Sequence, residues 1–206
     1  MTAIKIPISI LLGYLLGSLS PAALISKLKK SDLRTQGTKN LGASNTLLTF
    51  GKAWGALVML FDIAKAYLAY KLAQWICPAV SLIGMLAGSA AVVGHIFPFY
   101  LKFKGGKGLA AYGGLVLACD PMVFCGLLVL ATILIIVTNH SSIMPMTAAV
   151  LFPILLFIRT QSIPMTVIAA LISALMAWKH RENLMQAIRN EDLQIRKYIK
   201  ENIFHH

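Results

Sequence analysis

Charged side chains are scarce in this sequence. Of its 206 residues only 13% are Asp, Glu, Lys or Arg, whereas 58% are hydrophobic. Soluble domains contain roughly 25% charged and about 45–50% apolar residues, so this chain has too few polar side chains to cover a globule in water. The same composition excludes a disordered chain, a coiled coil, a collagen and a disulfide-stapled secreted domain. The sequence therefore predicts an integral membrane protein.

Cysteine is also rare. The three cysteines are an odd number and show no CxxC spacing, which argues against a disulfide framework or a zinc site. Small apolar filling of a core is the favoured interpretation of Cys77, Cys119 and Cys125. We expect no metal and no other cofactor.

Acidic residues number only 7 against 19 Lys and Arg, which gives a formal net charge of +12. In a soluble chain this excess would indicate a nucleic-acid partner. In a membrane protein the positive-inside rule and attraction to anionic headgroups account for much of it, so we expect membrane lipids and no nucleic acid as partners. The apolar run over residues 11–25 lacks a persuasive small-residue cleavage site and is interpreted as a retained span.

Long hydrophobic runs are abundant. A helix needs about 20 apolar residues to cross ~30 Å of hydrocarbon. Six segments qualify or nearly do, and a seventh is apolar but short. The six are 6–26, 53–75, 79–99, 122–138, 143–158 and 163–178, and the short one is 109–119.

Basic residues decide whether the short segment crosses. Six lie in the first loop, three in the third loop and six in the C-terminal tail. If 109–119 crosses, all fifteen share one face, and only Lys5, Lys71 and Arg159 lie opposite, with Lys65 inside the membrane. If it does not cross, the tail changes sides and the cytoplasmic bias falls to nine. The charges therefore favour seven crossings.

The predicted fold is an all-α integral membrane domain over residues 1–206. It has seven transmembrane helices, the N-terminus outside, the C-terminus in the cytoplasm, and a basic tail over 180–206 at the headgroup surface. The short helix either gains length from the glycine-rich turn before it or lies in a thinned or protein-lined region.

The first cytoplasmic connection, residues 32–45, carries two glycines, two asparagines, hydroxyls and cations. Glycine lets backbone N–H groups converge on an anion, Thr and Ser donate hydrogen bonds, and Arg34 and Lys39 supply charge. A solvated loop with helix caps from Ser44 and Asn45 fits the same residues. The pattern alone leaves both interpretations open.

The second connection contains Lys104-Gly105-Gly106-Lys107-Gly108 at the entry of a helix. Backbone amides, a helix N-terminus and lysine together suit a phosphate, although GxxxxGK[ST] is absent and a nucleotide triphosphatase is therefore disfavoured. A flexible basic turn is the alternative. His95, just upstream, is more typical of a packed histidine than of a catalyst.

Other polar groups are less specific. Residues 139–142 fit turn chemistry, and residues 180–183 fit a charged helix face. Asp62 and Lys65 are spaced to pair at (i, i+3) within a predicted span, as a structural ion pair or as a functional one. The sequence contains no convincing Ser-His-Asp or Cys-His set and no HxxxxD acyltransferase box.

Several motifs occur together and in order. They are Gly17-Ser18, 32–34 with 37–45, 94–98 with 103–108, 141–143 and 180–183. This combination resembles the PlsY family, the bacterial acyl-phosphate-dependent glycerol-3-phosphate acyltransferases, over about residues 6–195. The resemblance implies a seven-helix inner-membrane enzyme that transfers an acyl group from acyl phosphate to the 1-hydroxyl of sn-glycerol 3-phosphate, giving lysophosphatidate and phosphate.

The resemblance also implies roles for individual residues. Thr38, where the family usually has Ser, and Lys107, His180 and Asn183 are expected to be catalytic. The expected substrate-binding residues are Arg34, Lys39, Asn40, Gly42, Asn45, Lys104, Gly105, Gly106, Gly108, Ser141 and Ser142. The substrates would be acyl phosphate and sn-glycerol 3-phosphate, handled by a monomer.

Some positions depart from the family pattern. Leu48 stands where the family usually has Arg, which removes a cation expected to clamp a phosphate, and Lys39 stands where Gly is usual. Ala111 replaces a common Thr, and Asp192 and Gln194 replace Glu and Lys. Alternative interpretations are a non-catalytic or weakly active lipid-binding paralogue and a small-anion transporter.

Overall fold

A computed structural model describes residues 2–189 of the chain, with side chains from residue 3 onward, and over that part of the chain it is helical. The elements are α1 Thr2–Ser18, α2 Pro21–Leu28, α3 Ala43–Phe50, α4 Lys52–Ile76, α5 Ile83–Ile96, a 3-10 turn Phe99–Leu101, α6 Leu109–Cys119, α7 Pro121–Thr138, α8 Ile143–Thr160 and α9 Ile163–Ile188. The predicted tail beyond 189, with Asp192 and Gln194, lies outside the described residues.

Five stretches within residues 2–189 are long and apolar enough to cross a membrane. They are Ala3–Leu28, Ile83–Leu101, Pro121–Thr138, Ile143–Thr160 and Ile163–Ile188. Two predicted spans are not among them: α4, whose 25 residues include Asp62, Lys65 and Lys71, and α6, which has only 11 residues. The all-helical membrane architecture is confirmed, and seven crossings stays a prediction.

The predicted helix 6–26 is wrong as a single helix, because the chain leaves helical geometry at Leu19 and Ser20. Pro21 has no N–H to donate and its ring crowds the preceding turn, which kinks or breaks a helix. Pro21 instead opens α2, and the Ser20 hydroxyl caps it by accepting from Ala23 N at 3.2 Å. The sequence signal was a Ser-Pro pair inside an apolar run.

The other predicted boundaries shift less. The helix predicted over 79–99 begins at Ile83 and ends at Ile96, two residues before Pro98, and the last span extends to Ile188 instead of 178. The short helix α3 was not predicted. It follows the first polar loop and ends at Gly51, whose φ of 95° lies in the region that favours glycine.

The chain forms two compact units, unit 1 over Met1–Pro121 and unit 2 over Met122–His206. In unit 1, α1 packs closely on α5 through small residues. A Cβ at Gly13 would collide with the Ala87 carbonyl, and one at Gly17 would collide with the Ala91 carbonyl. This GxxxG spacing lets two helix backbones approach in a membrane, where packing replaces the hydrophobic effect as the driving force.

The short helix α6 is enclosed by protein in unit 1. It packs on α4 and α5, and a Cβ at Gly114 would collide with the Ile63 carbonyl. Tyr112 and Leu115 are buried. At about 1.5 Å per residue, 11 residues reach only about 16 Å, so this packing supports the protein-lined alternative over a lengthened helix.

Unit 2 contains a helical hairpin of α8 and α9. The hairpin turns at Gln161, whose φ is 52°, and Ser162 caps α9 by accepting from Met165 N at 3.5 Å. At the other end of the hairpin, the Ser142 hydroxyl donates to the Asn183 carbonyl at 3.0 Å. The start of α8 is thereby tied to the last turns of α9.

Candidate active site

Asn45, on the first turn of α3, organises the first polar loop. Its side chain is fully buried. Its Nδ2 donates to the carbonyls of Leu33, Gln36 and Asn40 at 2.7, 3.1 and 2.9 Å, and its Oδ1 accepts from Thr38 N at 2.7 Å. This single side-chain amide therefore holds four backbone groups of the loop together.

Two loop residues adopt positive φ angles around this amide. Gly37 has φ 52°, and a Cβ there would collide with Asn45 Oδ1, so a side chain is excluded by both conformation and space. Lys39 has φ 54° although it has a side chain. The backbone at this position suits glycine, which gives a physical reason for the glycine of the family pattern.

Arg34 is paired with Asp32. Its Nη2 lies 2.8 Å from Asp32 Oδ2 and its Nε lies 3.0 Å from Oδ1. The hydrogen bonds from Arg34 lower the pKa of the Asp32 carboxyl, and those same bonds raise the pKa of the guanidinium. Because both side chains are close to half exposed, water screens the pair, and a phosphate could compete with the carboxylate for Arg34.

Residues 104–108, which we call the glycine-rich loop, pack on the C-terminal end of α5. Gly105 N donates to the Ile96 carbonyl and Gly106 N to the His95 carbonyl, each at 3.1 Å. A Cβ at Gly105 would collide with the His95 carbonyl, and one at Gly106 with His95 Nε2. Side chains are therefore excluded at both positions by the packing of the loop.

Gly108 places the N-terminus of α6 beside this loop. Its φ is 96°, and its carbonyl accepts the first helical hydrogen bond, from Tyr112 N at 2.7 Å. The first N–H groups of an α-helix have no partner within the helix, and the dipole there favours an anion. Lys107 is half-buried next to this N-terminus, whereas Lys104 is exposed. The arrangement suits a phosphate group.

The two loops meet. A Cβ built on Gly106 would lie 2.8 Å from the Leu41 carbonyl oxygen, so the backbones of the first loop and of the glycine-rich loop are in contact. Leu41 is three residues after Thr38, and Gly106 precedes Lys107. The backbones that carry the predicted residues of the two loops therefore touch at Leu41 and Gly106.

A buried group of three ionisable residues lies behind the glycine-rich loop. Lys65 Nζ is 2.7 Å from Asp62 Oδ1 and 2.9 Å from His95 Nδ1, and His95 Nδ1 is 3.2 Å from Asp62 Oδ1. The predicted ion pair and the predicted packed histidine are both confirmed. Their association could not be predicted, because no pattern in the sequence says that α4 and the end of α5 adjoin.

Unit 2 holds the remaining predicted residues. Ser141 and Ser142 begin the α8 end of the hairpin, and Ser142 contacts the Asn183 backbone, as described above. His180 is buried, one helical turn before Asn183, and its Nδ1 lies 3.0 Å from the Met176 carbonyl. Since a carbonyl only accepts, Nδ1 carries a hydrogen in this contact.

The other predicted positions lie where the loops place them. Asn40 is half-buried, and Gly42 precedes α3, where a Cβ would lie 3.0 Å from Asn40 Nδ2. Leu48, which replaces the expected arginine, is half-buried on α3. Lys39 is exposed in the loop.

Comparison with known proteins gives concordant matches. The model of the family described as glycerol-3-phosphate acyltransferase matches residues 7–190. A glycerol-3-phosphate acyltransferase of Geobacillus kaustophilus is 32% identical over 188 residues, 91% of this chain and 94% of that protein. One of Coxiella burnetii is 41% identical over 186 residues, 87% of this chain and 92% of that protein.

Two crystal structures of PlsY, an integral membrane glycerol 3-phosphate acyltransferase, are also similar. The glycerol 3-phosphate form has a TM-score of 0.86 at 30% identity and covers 91% of this chain and 94% of its own. The lysophosphatidic acid form has a TM-score of 0.82 at 29% identity and covers 91% and 93%.

Proposed function

This chain belongs to the glycerol-3-phosphate acyltransferase family, and we propose from that membership that it transfers an acyl group from acyl phosphate to the 1-hydroxyl of sn-glycerol 3-phosphate. The products are lysophosphatidate and inorganic phosphate. The chain is a multi-pass membrane enzyme, an acyltransferase of phospholipid synthesis. The comparisons lend no support to a lipid-binding paralogue without activity or to a small-anion transporter.

The contact between the two polar loops of unit 1 is the observation that supports this reaction most directly. The reaction must hold two phosphate groups near each other, one on the acyl donor and one on glycerol 3-phosphate. Two loops rich in glycine and cations, joined at Leu41 and Gly106, provide neighbouring anion sites.

The chemistry needs little beyond positioning. The acceptor hydroxyl oxygen attacks the acyl carbonyl carbon, the new ester C–O bond forms, and the bond from that carbon to the phosphate oxygen breaks. The hydroxyl proton passes to the departing phosphate, so the step needs no covalent enzyme intermediate. Correct placement of two reactants supplies up to about 7–11 kcal/mol in favourable cases. Hydrogen bonds to the developing negative charge contribute further.

We assign Thr38 and Lys107 to phosphate stabilisation. Thr38 keeps a hydroxyl on an exposed loop whose shape Asn45 sets, and Lys107 supplies a charge at the start of α6. Gly105, Gly106 and Gly108 let the backbone approach the acceptor phosphate. Exposed cations attract the dianionic substrate to this face: Arg34, Lys39 and Lys104.

Asn45 acts in this assignment without touching substrate. Within the described residues, the four hydrogen bonds of its amide all go to loop backbone, so it positions Thr38. Asn40 and Gly42 complete the same turn. In unit 2, His180 and Asn183 are proposed to be catalytic and Ser141 and Ser142 substrate-binding, on the strength of the motifs they match.

The membrane arrangement is part of the proposal. The distribution of Lys and Arg supports a single domain with seven crossings, the N-terminus outside and the C-terminus in the cytoplasm of a bacterial inner membrane. The enzyme would act there as a monomer that takes acyl phosphate from the bilayer and glycerol 3-phosphate from the cytosol, with no nucleic acid involved.

Phosphate release by purified protein in detergent tests the function. With acyl phosphate supplied, release should depend on added glycerol 3-phosphate. Lys107→Ala and Thr38→Ala should each lower acceptor-dependent release about a hundredfold or more, because loss of one electrostatic contact to developing charge costs about 2.7–4 kcal/mol in other enzymes. Thr38→Ser should retain activity.

Matched controls come from the same loops. Lys102→Ala removes another exposed lysine near the glycine-rich loop, and Thr35→Ala removes another hydroxyl of the first loop, so both should stay close to wild type. Wild-type protein that releases no phosphate when the acceptor is added would refute the transferase.

A further inference from the structure

We infer that the buried triad of Asp62, Lys65 and His95 positions the glycine-rich loop for the acceptor phosphate. This inference rests on the proposed function. Asp62, Lys65 and His95 are only 2%, 3% and 7% exposed to solvent. The proposed reaction uses none of these three side chains directly. Ionisable groups inside a membrane protein are costly to bury and are retained where they are paired or functional.

The ammonium of Lys65 contacts both other members of the triad. It has three N–H donors and three acceptors within reach: Asp62 Oδ1 at 2.7 Å, the Leu19 carbonyl at 2.7 Å and His95 Nδ1 at 2.9 Å. An ammonium cannot accept a hydrogen bond, so the contact to His95 needs the lone pair of Nδ1. The same Nδ1 lies 3.2 Å from Asp62 Oδ1, so the ammonium and the carboxylate both face this edge of the His95 ring.

The other edge of the His95 ring faces the glycine-rich loop. Nε2 occupies the place that a Cβ of Gly106 would take, and Gly106 N donates to the His95 carbonyl at 3.1 Å. Gly106 is thus held by the ring on one side and by the backbone of the same residue on the other. Any rotation of the ring would displace Gly106 and, with it, Lys107.

Lys65 also reaches the first loop indirectly. Its bond to the Leu19 carbonyl holds the break between α1 and α2, and α2 leads into that loop. Tyr100 supports the same break, donating to the Ser18 carbonyl at 2.9 Å and accepting from Ser20 N at 3.1 Å. One buried ammonium therefore contacts both the α1–α2 break and the histidine that packs on the glycine-rich loop, which makes His95, Asp62 and Lys65 positioning residues.

Two substitutions at His95 test this role. His95→Asn keeps an amide near the position of Nδ1 and so keeps a partner for Lys65, but it has no atom at the position of Nε2. The dissociation constant for glycerol 3-phosphate, measured by calorimetry without acyl phosphate, should rise about tenfold, the size expected for losing one well-placed polar contact. The KM for acyl phosphate and kcat should stay within about twofold. His95→Gln, which reaches the position of Nε2, should recover part of the acceptor affinity.

The control is Ser89→Ala on the same helix. Ser89 is a buried polar residue of α5 whose hydroxyl has no hydrogen-bond partner among the described residues, so its removal should leave acceptor binding unchanged. If His95→Asn bound glycerol 3-phosphate like the wild type, or weakened both substrates equally, the inference would be wrong.

The double variant Asp62→Asn with Lys65→Gln guards against simple misfolding. It removes both charges and so leaves no unpaired buried ion. It should weaken acceptor binding about as much as His95→Asn, and unchanged binding would contradict the inference. Because affinity is measured without turnover, wild-type protein that binds glycerol 3-phosphate but transfers no acyl group would refute the proposed function and leave this test intact.

Discussion

At the scale of single residues, Lys39 departs from the family pattern in charge and in backbone suitability at once. Its φ of 54° lies in the left-handed region, which costs an L-residue about 1–2 kcal/mol. Its exposed ammonium lies in a loop that we propose binds phosphate. Lys39 therefore has a conformational cost, and its charge can attract a phosphate. Leu48 stands in the same chain where the family pattern has arginine.

Paired variants separate the two effects. Lys39→Gly should raise the thermal unfolding temperature in detergent, by the equivalent of about 0.5–1 kcal/mol, because glycine adopts the left-handed region without strain. The greater conformational entropy of glycine in the unfolded chain offsets only part of this stabilisation. Lys39→Ala removes the same charge but keeps the strained backbone, so it should not stabilise. If the ammonium assists substrate binding, both variants should raise the KM for glycerol 3-phosphate by a similar factor.

Equal thermal shifts for the two variants would contradict the conformational explanation. Unchanged KM values in both would show that the charge of Lys39 does not replace the missing arginine. Lys102→Ala, at another exposed lysine with a φ of 54°, is the matched control, since Lys102 is expected to play no part in binding.

Asn45 shows how far residue-level prediction reaches. The sequence places Asn45 at the end of a polar motif and leaves two roles open, an anion ligand or a helix cap. The structure gives its buried amide a different task, joining four backbone groups of the loop. That network depends on how residues 33–40 fold back over α3, which the order of residues along the chain does not specify.

At the scale of helices, unit 1 depends on glycine where backbones touch. Gly17 is in contact with the Ala91 backbone, and Gly94 on α5 has no room for a Cβ because of the Tyr14 carbonyl. These contacts place the end of α1, with its break, against the end of α5, with His95. The glycine-rich loop packs on that same end of α5, so the α1–α5 contact helps to position the loop.

Two glycine-to-alanine changes test this packing. Gly17→Ala should destabilise the protein by about 1–3 kcal/mol, because the new methyl forces the two helices apart. Gly126→Ala, on α7, meets nothing within 4 Å. It should be neutral or stabilising by up to about 1 kcal/mol, since alanine is the better helix former. Thermal unfolding in detergent measures both, and equal effects would argue against the close α1–α5 contact.

At the scale of the whole molecule, the topology is the main open prediction. Whether α6 crosses decides the side of every later connection. With seven crossings, residue 160 lies outside and residue 30 lies in the cytoplasm; without the α6 crossing, residue 160 moves inside. The positive-inside rule favours the first arrangement.

Cysteine labelling measures this topology. In a variant without the native cysteines, a membrane-impermeant maleimide should label Thr160→Cys in intact spheroplasts. Lys30→Cys should be labelled only after permeabilisation. Both side chains are exposed, so access to the reagent depends on the side of the membrane. Protection of Thr160→Cys in intact spheroplasts, with labelling after permeabilisation, would show that α6 does not cross.

Composition and motif order by themselves determined that this protein is a helical membrane protein of the acyltransferase family, because apolar content, run length and residue spacing are properties of the chain alone. Only the tertiary structure decided that α6 is enclosed by protein and that Lys65 joins Asp62 to His95 behind the glycine-rich loop. These features need residues 30 or more positions apart to meet. Which helices meet depends on backbone approach at a few glycines, and a hydrophobic pattern that looks alike on every side of a membrane helix does not encode it.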